Sequence, residues 1–232
     1  MLMKNVFSFL ASSLLLVGTA HAQTTFSVGP RVGFNVSSAR FPTIDQAASS
    51  NRSGFEAGLT STVQFGHFAL QPSLLYSQKG YRTSGYYLSF DMLIPSEEDI
   101  RLNYLTLPLN LAYTLGRDGQ GLQVFGGPYA SLLVGGNYAQ RLSGFDGEAT
   151  GKVKPATLAT DTDSRYSRRF DGGLQAGVGY CLKGFQLQAG YSLGLRNLAV
   201  PHQAYNGGTY APFPYYNRAF QVSLSYLMGA KG

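Results

Sequence analysis

Past a short apolar leader, one pattern repeats about eight times: alternate residues are aliphatic or aromatic, and those between are Gly, Ser, Thr, Gln or an occasional charge. In the first repeat Phe26, Val28, Pro30, Val32, Phe34 and Val36 form one row, and Ser27, Gly29, Arg31, Gly33, Asn35 and Ser37 the other. Successive strand side chains point to opposite faces, so a period of two makes a ribbon with one apolar and one polar side. The alternation recurs over 54–65, 68–79, 103–115, 122–136, 170–181, 185–196 and 219–228. Tight turns near 66, 118 and 183 alternate with long polar loops over 38–53, 82–102, 137–169 and 197–218. Outer-membrane barrels combine an even strand number with short periplasmic turns and long extracellular loops. The expected fold is all-β: an eight-stranded antiparallel up-and-down transmembrane barrel with both termini periplasmic.

The leader has the parts of a secretory signal peptide: Lys4, the apolar run Val6 to Val17, and the small-x-small site Ala20-His21-Ala22. The run is shorter than the roughly 20 residues of a spanning helix. The expected organisation is a signal peptide over 1–22 and one barrel domain over 23–232. The single cysteine, Cys181, excludes an intrachain disulfide.

Which face looks outward follows from charge and aromatics. The apolar row holds no charged residue, and a Lys or Arg at mid-bilayer costs roughly 2–4 kcal/mol. Aromatics in that row gather at strand ends. Phe26, Phe65, Phe68, Tyr113, Tyr180, Phe185 and Tyr226 are expected at the periplasmic end, and Phe34, Phe55, Tyr76, Phe170, Tyr191 and Phe220 at the outer end. Two aromatic girdles around an aliphatic band fit lipid. A soluble sandwich or lipocalin-like barrel would turn the apolar row inward.

The polar row then lines the lumen and carries Arg31, Glu56, Lys79, Asp171 and Arg196. An eight-stranded interior is just wide enough for side chains to fill, and buried charges must pair. Salt bridges among these five are expected, with Glu56 and Asp171 as the anions, in a plugged core rather than a channel. Catalysis needs a nucleophile beside a base. His67 lies in a turn and His202 in the last long loop, neither on a strand row beside a Ser; His202 with a loop Ser and Asp161 or Asp163 assembles only on paper, so no catalytic site is assigned. No metal-ligand spacing and no cofactor motif is present.

The net charge is +6, and most of the surplus lies in or beside the long loops. Arg165, Arg168 and Arg169 are expected to face lipopolysaccharide phosphates, which guanidinium groups bind in bidentate fashion. Tyr205, Tyr210, Phe213, Tyr215 and Tyr216 form an aromatic loop that either binds a protein or glycan or folds over the barrel mouth. Nucleic acid is the wrong partner for an exported barrel.

Three motifs, Tyr104-Leu105-Thr106-Leu107-Pro108-Leu109, Gly126-Gly127-Pro128-Tyr129, and Asp171-Gly172-Gly173 followed by Gly177-Val178-Gly179, give the chain its family likeness. On them it resembles the PorT-like outer-membrane barrel proteins of the Bacteroidota over nearly all of the mature length. Thr106 stands where such proteins often carry a carboxylate or Gln. The resemblance implies a barrel in the outer membrane and a link to protein secretion. The expected function is non-enzymatic, structural or accessory to assembly and secretion, with envelope proteins as partners. The alternatives are a lipid-modifying enzyme and a surface adhesin.

Overall fold

A computed structural model describes residues 24–42, 49–89, 92–116, 119–159, 164–204 and 207–230. The leader, Arg117 and Asp118 of the second tight turn, Asp161, Asp163 and Tyr205 lie outside the described residues. In chain order come β1 (Thr25–Arg40), β2 (Arg52–Phe65), β3 (Phe68–Ser89), β4 (Met92–Thr114) and β5 (Gly121–Leu142). Two short strands follow, β6 (Ala149–Pro155) and β7 (Arg165–Ser167), then β8 (Phe170–Leu182) and β9 (Phe185–Gly194). The last are β10 (His202–Gln203), β11 (Thr209–Tyr210), β12 (Tyr216–Tyr226) and β13 (Met228–Ala230).

Eight of these close a ring: β1 to β5 pair in sequence, then β5 with β8, β8 with β9, β9 with β12, and β12 with β1, all antiparallel. Tight turns set the register. Phe65 pairs Phe68 across Gly66-His67, and Leu182 pairs Phe185 across Lys183-Gly184. Lys183 and Gly184 both have positive φ, 49° and 86°, as a two-residue hairpin of the primed type requires.

Burial is inverted relative to a soluble protein. Val32, Leu59, Leu107, Leu174, Leu187 and Leu224 are exposed on the outer face, while Gln71, Asn110, Thr114, Gln123, Gln186 and Gln188 are buried inside. An apolar outer wall of this extent needs an apolar solvent. The soluble arrangement, with the apolar row inward, is not adopted. The aromatics bracket the wall as expected. At the turn rim Phe65 lies 6.4 Å from Phe68, Phe68 5.2 Å from Tyr113, and Phe185 4.8 Å from Tyr226, between ring centroids. Toward the other end Phe55 lies 5.9 Å from Tyr76, and Phe220 is paired in register with Tyr191.

A few apolar residues also enter the lumen, Ala69, Leu75, Ala112 and Phe125 among them. The Phe125 ring is buried against β8 and β9, where a Cβ on Gly177 would come within 2.6 Å of its Cζ and one on Gly190 within 3.0 Å. Bare backbone at 177 and 190 makes the flat floor for this ring. Gly177→Ala is expected to destabilise the barrel by about 1–3 kcal/mol through overpacking. Urea unfolding in lipid vesicles measures it, and an unchanged midpoint would refute the packing argument.

The long connections differ from the expected polar loops. Residues 82–102 are mostly strand: β3 and β4 continue as a hairpin paired from Arg82↔Asp99 to Ser89↔Met92. Within 137–169, β5 runs on to Leu142, β6 pairs with it, and β7 lies parallel to β6. Just past β9 the chain turns into the barrel mouth, burying Leu198, Ala199 and Val200. There Tyr81, Leu102, Tyr104, Leu133, Leu198 and Tyr215 form an apolar cap, with Phe41 and Tyr138 packed against it. The Tyr215 hydroxyl donates to Ser167 Oγ at 2.7 Å, and burial pushes its pKa up to about 12, so it stays a neutral donor.

Candidate functional site

The lumen side chains come from alternate positions of all eight ring strands and fill the interior in layers. The layer nearest the turn rim is an amide network. Gln123 Oε1 accepts from Gln186 at 2.8 Å and from Gln71 and Gln188 at 3.3 Å each. Gln123 Nε2 donates onward to Thr114 Oγ1 at 3.2 Å. An amide carries donor and acceptor together, so one residue type can tile a cross-section without leaving a charge.

Above it sits the ion pair. Arg31 donates through Nε and Nη2 to Glu56 Oε1, at 3.2 and 3.0 Å, and through Nη1 to Gln188 Oε1 at 2.9 Å. The two side chains are only 2% and 3% exposed, which makes this a fully desolvated pair.

The third layer departs from the expected salt bridges. Lys79 reaches neither Glu56 nor Asp171 within ion-pair distance; its ammonium lies 4.5 Å from the Tyr129 ring centroid and 5.9 Å from that of Tyr104. Aromatic faces carry negative potential, so the two rings attract the ammonium where no carboxylate touches it among the described residues. Asp171 is linked to them by hydrogen bonds. Tyr129 donates its hydroxyl to Asp171 Oδ2 at 3.4 Å, and Asn217 Nδ2 donates to the same oxygen at 3.0 Å and to the Tyr104 oxygen at 3.2 Å. Tyr104 and Tyr129 belong to two of the motifs that carry the family likeness. Their inward parity was readable, but an aromatic residue in a polar row draws no attention when charges are being counted. Arg196 is not in the lumen at all. β9 ends at Gly194, so the alternation stops before it, and Arg196 is exposed.

The expected headgroup cations are corrected in part. Arg165 is committed within the protein: Nε donates to Glu98 Oε1 at 2.6 Å, Nη2 to Gln140 Oε1 at 3.3 Å, and the guanidinium lies 4.7 Å from the Tyr138 ring. Arg168 Nε donates to the Ala199 carbonyl at 3.0 Å. Arg169 is exposed. The aromatic loop divides likewise. Tyr215 is buried in the cap, Tyr216 is half-buried at the start of β12, and Tyr210 and Phe213 are exposed.

A charge cluster that sequence reading did not single out braces the β3–β4 hairpin. Arg52 Nε donates to Asp99 Oδ1, and Arg82 Nε to Asp99 Oδ2 at 3.0 Å. Burial pushes the Asp99 carboxyl up, but the hydrogen bonds and charges of Arg52 and Arg82 outweigh it and hold its pKa below the ordinary carboxylate value. A carboxylate with a lowered folded pKa adds stability above its unfolded pKa, and that contribution is lost as pH falls through the folded value. The protection factors of the hairpin amides, exchange rates divided into their intrinsic pH-dependent values, are therefore expected to hold from neutral pH to about pH 4 and to fall below it. Asp99→Asn should show low protection already at neutral pH and lack the acid step; a wild-type step above pH 5 would contradict the clamp.

Both described histidines contact neighbours within the protein. His67 Nδ1 lies 2.9 Å from the Thr114 carbonyl, so it is the protonated nitrogen, and His202 stacks on Tyr210 at 5.2 Å. Among the described residues no group of His, Cys, Asp and Glu could hold a metal ion.

A closed eight-stranded ring, apolar outside, polar and packed inside, with an aromatic belt at each end, defines a small transmembrane β-barrel. Residues 21–200 match the family described as outer membrane protein beta-barrel domain, and the chain belongs to that family. Among solved structures it is similar to Ail, the attachment invasion locus protein of Yersinia pestis, crystallised with the heparin analogue sucrose octasulfate. That match has 14% identity, covers 88% of this chain and 99% of that one, and has a TM-score of 0.42. It is also similar to the outer membrane protein OprG of Pseudomonas aeruginosa, with 11% identity, 91% and 99% coverage, and a TM-score of 0.38. No curated protein matches the chain.

Proposed function

We propose that this outer-membrane barrel is non-enzymatic and does not conduct, and that it acts through the structures raised above its loop rim, in a structural or assembly role. The observation that carries this is the double closure of the lumen. The amide and ion-pair layers fill one part of the bore, and the apolar cap around Tyr104, Leu198 and Tyr215 fills the mouth. An eight-stranded bore so filled leaves no aqueous path. What remains to meet a partner is the β3–β4 hairpin with the sheet of β5, β6 and β7 beside it. The turn rim and both strand termini face the periplasm in this reading, following the short-turn, long-loop rule. A link to protein secretion, as in PorT-like proteins, is the finer form of the same proposal.

A photo-crosslinking residue placed at the exposed Tyr86, followed by mass spectrometry from native outer membranes, tests it. Reproducible capture of secretion or assembly subunits is the expected result. Recovery of lipid alone, together with steady conductance in planar bilayers, would overturn it. Exposed Tyr210 and Phe213 favour a second reading, capture of a surface ligand, in which removing 207–214 abolishes binding while the barrel still folds.

A further inference from the structure

One sector of the outer wall carries a group of cations just above the aromatic belt of the loop rim. The belt there is a single rung across four strands, in which Tyr76, Leu105, Leu132 and Phe170 each pair with the next. Two outward positions further along β4, the rung reads Gly80, Arg101, Asn137 and Lys152, from β3 to β6. Those four residues of strand are about 13 Å, or roughly 10 Å of height at the usual barrel tilt. Val153 pairs with Gly136, so Lys154, on the same face as Lys152, lies closer to the belt. Arg169 directly precedes the belt residue Phe170. All four cations, and Asn137 among them, are exposed.

Their charge is not answered nearby. Asp99 is the next outward residue above Arg101, but its two oxygens are held by Arg52 and Arg82. Among the described residues none of the four cations forms an ion pair. Asp161 and Asp163, between β6 and β7, lie outside the described residues. Counted against the four cations, those two acids still leave a net positive patch.

Depth decides which anion fits. Belt aromatics sit at headgroup level, and long Lys and Arg side chains reach back toward it. The outward residues immediately below are lipid-facing, so lipid headgroups stand beside the patch, while a soluble anion meets the raised sheet first. Arg101 and Lys152 are two strands apart, about 10 Å, which is too wide for one phosphate to touch both. A headgroup with two phosphates spans that gap. Guanidinium grips phosphate in bidentate fashion, and paired ammonium groups hold it as point charges. We infer that this sector binds one lipopolysaccharide molecule, Arg101 holding one phosphate and Lys152 with Lys154 the other. The inference rests on the reading that the loop rim faces outward.

The test folds the full chain in phosphatidylcholine nanodiscs containing diphosphoryl lipid A, its dephosphorylated form, or phosphatidylglycerol. Binding is titrated by native mass spectrometry. One bound diphosphoryl lipid A, preferred over both others, is expected. Each cation removed should weaken binding about fivefold, so Arg101→Gln with Lys152→Gln should weaken it about 25-fold. Arg141→Gln removes an exposed cation from the same face of β5, four residues beyond Asn137, and should leave binding unchanged. Heat-modifiable mobility checks that each variant is folded. Equal binding of either other lipid, unchanged binding in the double variant, or an equal loss in Arg141→Gln would each overturn the site. Orientation is read separately. In a Cys181→Ser background, Tyr86→Cys on whole cells should react with a membrane-impermeant maleimide. No labelling, with nanodisc binding intact, would overturn the outward loop rim and the lipopolysaccharide assignment together, whereas labelling without binding overturns the site alone.

Discussion

Glu56→Leu is expected to lower the free energy of unfolding by about 3–5 kcal/mol, because it leaves Arg31 charged and buried without its counter-ion. The pair is desolvated on both sides, and among the described residues no other carboxylate touches the guanidinium, which then keeps its hydrogen bond to Gln188. Removing both members is a different experiment. Arg31→Met with Glu56→Leu takes away the attraction and the desolvation penalty together, so most of the lost stability should return. Equilibrium urea unfolding in lipid vesicles, read as a double-mutant cycle, checks both claims. A small loss for Glu56→Leu alone would mean that water reaches Arg31 and that the bore is less closed than its packing indicates.

The outer wall carries the second large effect. Leu109 lies midway along the lipid-facing row of β4, between Leu105 and Tyr113, and its side chain is exposed. Leu109→Arg is expected to cost about 2–4 kcal/mol, the depth-dependent penalty for a cation at the bilayer midplane. Leu115→Arg, just past the end of β4, should cost only about 0–1 kcal/mol. The contrast isolates depth from the substitution itself, and similar losses at both sites would disprove a bilayer across this row. The same vesicle unfolding assay measures both.

The ring itself was legible because two solvents enforce it. Lipid outside and a crowded polar bore inside demand opposite residues at successive positions, and the sequence shows that demand in every ring strand. Beyond the belt the enforcement stops. Strand residues Arg82 to Ser89 and Met92 to Arg101 are held by ladder hydrogen bonds, and with no lipid outside them nothing requires the alternation, so they read as loop. Arg196 failed for the complementary reason: the alternation ran on past Gly194 although the pairing had ended. Lys79 and Asp171 were placed correctly inside but paired wrongly. Counting charges supplied the opposite sign and overlooked Tyr104 and Tyr129, whose rings stand between them. The cap was half visible as an aromatic loop, and the inward turn of Leu198 to Val200 gave no periodic signal.

The strand that opens the barrel is also the one that shuts it. β1 pairs β2 along one edge, and along the other it waits for β12 and β13, so the clasp joins the first and last parts of the ring. Arg31 can meet Glu56 as soon as the first hairpin forms, but its bond to Gln188 spans 157 residues. A chain still being delivered therefore carries two raw edges and an unfinished charge for most of its synthesis. Raw edges invite pairing with other chains. Insertion of this protein is then a race between clasping and aggregation, and whatever guards the β1 edge during that interval decides the yield.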